Sequence, residues 1–135
     1  MGASILMEKS CGTITIKDNK VLMVLQNLGH TSFPKGHMEA GESEGETAIR
    51  ETLEETGIKV RIIDNSPRYT ISYPVRETVK EVVFFIAEVE DDSKAKPQES
   101  EINKIMWVDI EKVRETLTHE NIKVMWDKVI KDILK

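Results

Sequence analysis

The sequence predicts an α/β/α sandwich built around a mixed β-sheet. Short apolar runs that alternate with polar residues and end at turn residues predict several strands. Helical periodicity predicts one helix in the middle of the chain, over residues 44–56, and another at its C-terminal end, over residues 119–134. Because both faces of a sheet need to be covered, strands interleaved with helices in this way predict three layers.

The chain begins with a predicted hairpin. Residues 10–17 alternate as a strand, Asp18-Asn19 turns the chain, and residues 20–26 are expected to form the buried partner strand. Residues 27–34 are predicted to be a loop.

The second half of the chain contains further predicted strands at residues 58–63, 67–73, 79–90 and 104–108. Residues 79–90 are the most apolar, so they are expected to lie at the centre of the sheet. Asp109 is expected to cap a short helix near residues 110–117. The last helix is predicted to pack by one face, formed by Ile122, Met125, Trp126, Val129, Ile130 and Ile133.

Composition indicates one domain over residues 1–135, with a mass of 15.4 kDa. A net charge of −5 argues against a stable complex with nucleic acid. The lone Cys11 cannot form an internal disulfide, and its apolar surroundings predict a buried, unreactive thiol rather than a catalytic one.

Localisation is predicted from what the chain lacks. It has no apolar run of membrane-spanning length, so no membrane partner is expected. Residues 1–7 have no basic start and no long apolar centre, so they are not a secretory signal. They are expected to be disordered, a tag remnant, or a segment before a start at Met7. The default expectation is a cytoplasmic protein.

The central helix carries signals at both ends. Ser43 and Glu46 form a candidate capping box, and Gly57 supplies the stop. Between them, three carboxylates lie at i, i+3 and i+4 on one face: Glu51, Glu54 and Glu55. Ile49 and Leu53 fall on the opposite side, which is therefore the expected core face.

These carboxylates predict a metal site. Three acidic groups within one and a half turns repel one another unless a cation lies among them, and hard oxygen ligands suit Mg²⁺ or Mn²⁺. The alternative is a solvated acidic face. A preceding loop with Gly36 and Gly41 argues for the metal site, because glycine allows close approach to a ligand, and Gly36 could offer its carbonyl.

The whole stretch from Gly36 to Gly57 follows the pattern G-x5-E-x7-R-E-x-x-E-E-x-G, followed by an aliphatic residue. Seven such positions match by chance about 10⁻⁸ times per start site. The stretch resembles the signature box of the Nudix hydrolases, which cleave a nucleoside diphosphate linked to another group. Thr52 stands where that family usually has an aliphatic residue, a minor departure because its methyl group can serve a semi-buried role.

The resemblance implies an α/β/α sandwich of the Nudix type and a role for each box residue. Glu51, Glu54 and Glu55 would be metal ligands, with the Gly36 carbonyl beside them. Arg50 would orient a carboxylate. Glu42 would brace the loop.

Outside the box, the resemblance places a further carboxylate in the loop before Trp107, where it serves as a metal ligand or as the base. Glu101 is the candidate for this position, and ordinary loop charge is the alternative.

Substrate contacts are predicted from position. Lys35, Lys80, His37 and His30 are candidates for binding phosphate, with ordinary exposed charge as the alternative for the lysines. His119 is expected to be a surface residue near a helix start. Tyr73 or Tyr69 could stack on a base, with core packing as the alternative.

The chemistry expected is Mg²⁺- or Mn²⁺-dependent hydrolysis of a pyrophosphate linkage, with Glu54 or Glu101 as general base. The sequence most resembles the diadenosine tetraphosphate (Ap4A) hydrolase branch, which implies asymmetric cleavage to ATP and AMP. In this branch the usual Trp before Pro-Lys-Gly is replaced by Ser32-Phe33.

Other readings remain open. They are a house-cleaning nucleoside triphosphate pyrophosphohydrolase, an ADP-ribose or other nucleoside-diphosphate pyrophosphatase, and a nucleotide-binding sensor without turnover. The partner expected in each case is a small nucleotide, and the chain is expected to be a monomer or weak dimer.

Overall fold

The computed structural model describes residues 7–134 and contains one mixed sheet with helices on both of its faces. The predicted sandwich is therefore confirmed. Its strands are β1 (Met7–Lys17), β2 (Lys20–Gln26), β3 (Thr31–Ser32), β4 (Lys35–His37), β5 (Lys59–Ile62), β6 (Tyr69–Val75), β7 (Thr78–Asp91) and β8 (Ile102–Asp109). Its helices are α1 (Glu44–Thr56), a 3₁₀ turn (Ile110–Lys112), α2 (Val113–Thr116) and α3 (Glu120–Ile133).

The start of the chain and the lengths of the helices were also predicted from the sequence. Met7 opens β1, and the rest of the segment expected to be disordered or tag-derived, residues 1–6, lies outside the described residues. Within residues 7–134, none of the helices is long and apolar enough to cross a membrane.

Strands β1 and β7 run parallel at the centre of the sheet, and the other strand pairs are antiparallel. The first half of β7 pairs with β6 and its second half with β5. Beside β1 lies β4, and β2 continues the sheet to β3 and β8. The predicted hairpin is present, but β1 and β2 pair only next to the turn, at Ile16–Val21 and Lys17–Lys20, because both strands then turn to other partners.

Apolar side chains along the central strands point alternately to the two faces of the sheet, so each face has its own core. On the α3 face, Phe33 and Phe84 pack edge to face, and Phe33 also contacts Trp126 of α3. Fully burying one such aromatic side chain is worth about 2–3 kcal/mol. The opposite face is smaller, with Cys11 and Val83 packed against Ala48 of α1. Burial raises the pKa of the Cys11 thiol to about 11, as expected for an unreactive core cysteine.

Helix α1 has the predicted bounds and caps, but the predicted core face is only partly correct. Ile49 is partly buried and packs against a core cluster, whereas Leu53 is 45% exposed. The buried face instead carries small and polar residues, which are Thr47, Ala48, Thr52, Glu55 and Thr56. Such side chains let the helix lie close to β1 and β4. The face of α1 that carries the three carboxylates therefore overlaps the face that packs on the sheet, instead of lying opposite to it.

Two smaller expectations about loops also change. Asp109 lies at the predicted N-cap position, before the 3₁₀ turn, but its side chain makes no capping hydrogen bond. It lies at the end of β8, with its carboxylate 3.6 Å from Lys20. The predicted loop at residues 27–34 contains the short strand β3, and the Lys35-Gly36-His37 segment that follows is strand β4.

The start of α1 is tied to the sheet by Glu44. Its carboxylate accepts two hydrogen bonds of 2.7 Å from Arg68, and Lys9 donates a third of 2.7 Å. The Arg68 hydrogen bonds are the main reason that the pKa of Glu44 falls to about 2.

This lowered pKa predicts a pH-dependent contribution to stability. Because the pKa of Glu44 is lower in the folded state, its contribution is complete above about pH 4.5 and is lost as the pH falls towards 2. We expect Glu44→Gln to reduce the free energy of unfolding by about 1 kcal/mol at pH 7. The difference from the wild type should shrink towards zero near pH 2–3 in urea titrations. An equal difference at both pH values would contradict the assignment.

Candidate active site

The candidate site forms where α1 crosses the end of β4. Strand β4 pairs with β1 so that Gly36 faces Cys11 and Lys35 faces Gly12. Helix α1 lies so close to β4 that a Cβ atom at Gly36 would overlap the carboxylate of Glu51. Because Gly36 has no side chain, the Glu51 carboxylate lies directly against the β4 backbone, and a larger residue here would have to displace that carboxylate.

Arg50 is the hub of the site. Its Nε and Nη2 atoms donate to the two carboxylate oxygens of Glu42, at 2.6 and 3.0 Å. Nη1 donates to Glu51 and Glu54, at 2.9 and 3.1 Å, and Nη2 donates to the His37 carbonyl at 2.9 Å. These five bonds use the full donor capacity of a guanidinium group.

Glu42 joins the glycine loop to the helix. Besides Arg50, it accepts hydrogen bonds from the Glu39 N–H at 3.0 Å and from the Thr47 hydroxyl at 2.9 Å. The Arg50 bonds are the main cause of a pKa of about 2 for Glu42, so it is anionic at neutral pH. The same contacts raise the pKa of Arg50 further above its ordinary value. The loop is thus closed by a fixed ion pair.

Glu55 is the most unusual carboxylate of the chain. It is only 3% exposed, and its one hydrogen bond comes from the Lys35 N–H at 3.3 Å. Burial is the main cause of a pKa raised to about 8, and nearby Glu51 and Glu101 add to the shift. Burial likewise raises the pKa of Glu51. A buried carboxyl group with so little compensation ionises only at a cost, which a bound cation would offset.

Glu101 is brought to the same place by a loop that docks on the end of α1. The Gln98 N–H donates to the Glu55 carbonyl at 3.0 Å, and the Lys96 N–H donates to the Thr56 carbonyl at 2.8 Å. The Glu101 carbonyl accepts from Asn27 at 2.9 Å. Its exposed carboxylate is close enough to affect the pKa values of Glu51 and Glu55. The structure therefore brings this carboxylate near those of α1.

Glu54 and His37 lie at the open side of the site. Glu54 is 46% exposed and bonded to Arg50. The His37 side chain is exposed, and it is the His37 backbone carbonyl that Arg50 binds.

The acidic residues fit a divalent cation by their chemistry. They offer hard carboxylate oxygens, one of them on a buried residue without a salt bridge, next to the Gly36 backbone. In the arrangement of residues 7–134, no three His, Cys, Asp or Glu side chains converge as a metal-binding group. The reason is visible at Arg50, whose Nη1 atom pairs with both Glu51 and Glu54.

The two lysines predicted to bind phosphate, Lys35 and Lys80, lie near each other beside the carboxylates. Burial is the main cause of a lowered pKa for Lys35, and the charge of Lys80 lowers it further. Lys80 pairs with Tyr73 across β6 and β7, so both side chains lie on one face of the sheet.

A cavity of about 500 Å³ opens next to Lys35 on the α3 side of the sheet. Tyr73 lines it, as a residue that contacts a base must. Tyr69 does not, because it is buried and its hydroxyl donates to Asp132 at 2.6 Å. Ser32 and Phe33 are buried as well, so Phe33 cannot take the place of an exposed stacking Trp.

The cavity wall includes residues that sequence reasoning did not place together. His30 and His119 stack with their ring centroids 4.8 Å apart, and Gln26 and Asn121 lie beside them. His119 was expected to be a surface residue near a helix start, and it is the N-cap of α3. These residues come from distant parts of the chain and follow no spacing rule. Two hydrogen bonds join the segments that carry the histidines: the Thr118 N–H donates to the Thr31 carbonyl at 3.2 Å, and the Thr31 N–H donates to the Thr118 hydroxyl at 2.8 Å.

Comparison with known proteins identifies the family. Residues 9–127 match the model of the NUDIX domain, and the chain belongs to that family. A relative from Rattus norvegicus, named asymmetrical bis(5'-nucleosyl)-tetraphosphatase, is 40% identical over 73 residues, or 53% of this chain and 50% of the relative. A relative of the same name from Mus musculus is 37% identical over 98 residues, or 62% of this chain and 66% of the relative.

The chain thus spans between half and two thirds of these relatives. Their names agree with the branch that the sequence resembles.

Solved structures confirm the fold. A C. elegans Ap4A hydrolase in a binary complex matches with a TM-score of 0.80 at 21% identity, covering 94% of this chain and 98% of that one. A MutT protein from Methanosarcina mazei Go1 also matches with a TM-score of 0.80 at 21% identity, covering 99% and 100%.

The role of Arg50 can be tested by hydrogen exchange. Lysine has a single charged nitrogen and cannot reproduce the two-pronged bond to Glu42 while holding Glu51. We expect Arg50→Lys to accelerate amide exchange in the glycine loop, residues 38–43, by roughly tenfold.

The matched control is Arg61→Lys, because Arg61 pairs with Glu88 away from this loop. It should leave exchange in the loop unchanged. Equal exchange in the wild type and Arg50→Lys would show that the ion pair does not hold the loop.

Proposed function

We propose that this chain is a divalent-cation-dependent pyrophosphohydrolase of nucleoside polyphosphates. The observation that carries the proposal is the buried Glu55 carboxyl group, which accepts a hydrogen bond from the Lys35 N–H of β4, lies near Glu51 and forms no salt bridge within residues 7–134. Ionising a buried carboxyl group without such a partner is costly, and a bound cation would offset that cost. Family membership supports the same conclusion.

Glu51, Glu54, Glu55 and the Gly36 carbonyl would hold the cation, with Glu101 as a further ligand. Mg²⁺ is the proposed ion and Mn²⁺ the alternative, because both prefer oxygen ligands and bind phosphates. A bound divalent cation supplies neutralisation of the phosphate oxygens and activation of water.

The residues around the carboxylates would position the substrate. Lys35 and Lys80 offer positive charge beside the acidic cluster, where a polyphosphate chain would lie. Tyr73 lines the adjoining cavity, whose volume of about 500 Å³ suits a nucleoside. A base stacked on Tyr73 would leave its phosphates directed towards Lys35. The His37 side chain, exposed beside the box, is proposed as a further phosphate contact.

Two carboxylates are suited to accept the proton of the attacking water. Glu54 is half-exposed and oriented by Arg50, and Glu101 is exposed on the docked loop. A general base needs access to water and to the reacting phosphate, which both groups have. Arg50 would act through Glu54 and Glu51 by holding them in place.

The proposed substrate is Ap4A, cleaved asymmetrically to ATP and AMP. The names of the relatives from rat and mouse support this choice. We propose a monomer or weak dimer acting on a free nucleotide.

The substrate can be tested with a panel of Ap4A, 8-oxo-dGTP, ADP-ribose and a nucleotide sugar in Mg²⁺. We expect Ap4A to give the highest kcat/KM, with ATP and AMP as the products identified by chromatography. Two ADP molecules would exclude asymmetric cleavage. Binding without product from any of these compounds would indicate a sensor instead of an enzyme.

The cation site can be tested with Glu55→Gln. Because the pKa of Glu55 is raised in the folded state, its ionisation destabilises the metal-free protein progressively from about pH 4.5 to pH 8. Metal-free Glu55→Gln should therefore be at least as stable as the wild type at pH 7. Mg²⁺ should raise the Tm of the wild type but not of Glu55→Gln, whose turnover should fall by several orders of magnitude.

The matched control is Glu99→Gln, which neutralises an exposed carboxylate of the loop that carries Glu101. It should keep both the turnover and the Mg²⁺-dependent rise in Tm. Unchanged turnover in both Glu55→Gln and Glu54→Gln would contradict the site assignment.

A further inference from the structure

We propose that Thr13 and Thr52 are positioning residues that set the distance between the two halves of the site. One half is α1, with the acidic residues, and the other is β4, with the Gly36 backbone. The inference rests on the proposed function. It concerns a pair of hydroxyl groups in the core and no group that would touch the substrate.

Thr13 is bonded to both halves. Its backbone N–H donates to the Pro34 carbonyl at 3.2 Å, directly before β4. Its hydroxyl lies 2.8 Å from the hydroxyl of Thr52 on α1. Both side chains are fully buried. One residue of the central strand thus contacts the strand and the helix that form the site.

The direction of each hydrogen bond follows from counting protons. Thr52 donates its single hydroxyl proton to the Ala48 carbonyl at 2.8 Å. Thr13 must therefore donate to Thr52, and Thr15, 2.9 Å from Thr13, donates to Thr13. The result is a chain of three hydroxyls in which every proton has an acceptor, running from the sheet into the helix.

Such a chain specifies position in a way that apolar packing does not. An aliphatic residue at position 52 would fill the same space but would tolerate sliding or rolling of the helix, since dispersion contacts have little directional preference. A hydrogen bond weakens when its length or angle changes, so it favours one placement. The buried face of α1 is otherwise formed by small residues such as Ala48, which interlock little with the sheet.

The site has little tolerance for a shift of α1. The Glu51 carboxylate already occupies the space that a Cβ atom at Gly36 would need. Glu55 reaches the Lys35 N–H of the same strand at 3.3 Å. A displacement of the helix by a fraction of an ångström would change both separations, and with them the fit of a cation between helix and strand.

The test compares Thr52→Val, which keeps the shape and removes the hydroxyl, with Thr52→Ser, which keeps the hydroxyl and removes a methyl group. A packing role predicts that the Val variant behaves like the wild type and that the Ser variant is impaired. A positioning role predicts the opposite order for activity. Thr15→Val is the control, because it removes an equally buried hydroxyl that bonds Thr13 but not α1.

The measurements are Tm, kcat and KM for Ap4A, and Mn²⁺ affinity by electron paramagnetic resonance. Thr52→Val should fold, with kcat reduced about ten- to a hundredfold and Mn²⁺ affinity reduced about tenfold. Thr52→Ser should retain wild-type kinetics and affinity despite a lower Tm, because it leaves a small cavity. Thr15→Val should retain the wild-type kcat and Mn²⁺ affinity.

Wild-type kcat and Mn²⁺ affinity in Thr52→Val would overturn the inference. If the wild type hydrolyses no compound of the panel, the proposed function fails, and the Mn²⁺ affinities of the Val and Ser variants still decide the positioning role. Should Thr52→Val not fold, the double variant Thr13→Val/Thr52→Val, which removes both partners of the bond, serves in the same comparison.

Discussion

The close approach of helix α1 to strands β1 and β4 is the constraint on which the site depends. It makes use of the missing side chain at Gly36, because a Cβ atom there would displace the Glu51 carboxylate from the β4 backbone. It also requires small side chains on the buried face of the helix, where Ala48 and Thr52 lie. The helix therefore gives up the large apolar contacts that usually hold a helix on a sheet, and polar contacts take over part of that role.

Those polar contacts include several ion pairs. At the start of α1, Glu44 is neutralised by Arg68 and Lys9, and in the middle Glu42 is neutralised by Arg50. Near the end of the helix, Glu55 has no side-chain cation within hydrogen-bonding distance. The site thus keeps one buried carboxyl group without a salt bridge, while its neighbour Glu51 is paired with Arg50. Buried charge without a partner is costly, so it is found where a ligand supplies the missing charge.

Sequence reasoning succeeded where a rule is local. The bounds of α1, its capping box and its glycine stop depend on residues within one turn of each other, and all three are confirmed. The same reasoning failed on part of the core face of α1, because Leu53 was assumed to be buried on the basis of its hydrophobicity. At Asp109 it predicted the N-cap position but not the side chain, which makes no capping hydrogen bond and lies 3.6 Å from Lys20.

The sequence by itself determined the family, the order of the main elements and the acidic stripe, since each follows from spacing along one segment. Only the tertiary structure decided which of the acidic groups is buried, because burial of Glu55 depends on β4 and on the docked loop before Glu101. It also decided the wall of the cavity, where His30 meets His119 from the far end of the chain. Contacts of this kind join residues that no local periodicity relates, so folding must bring them together before they can be recognised.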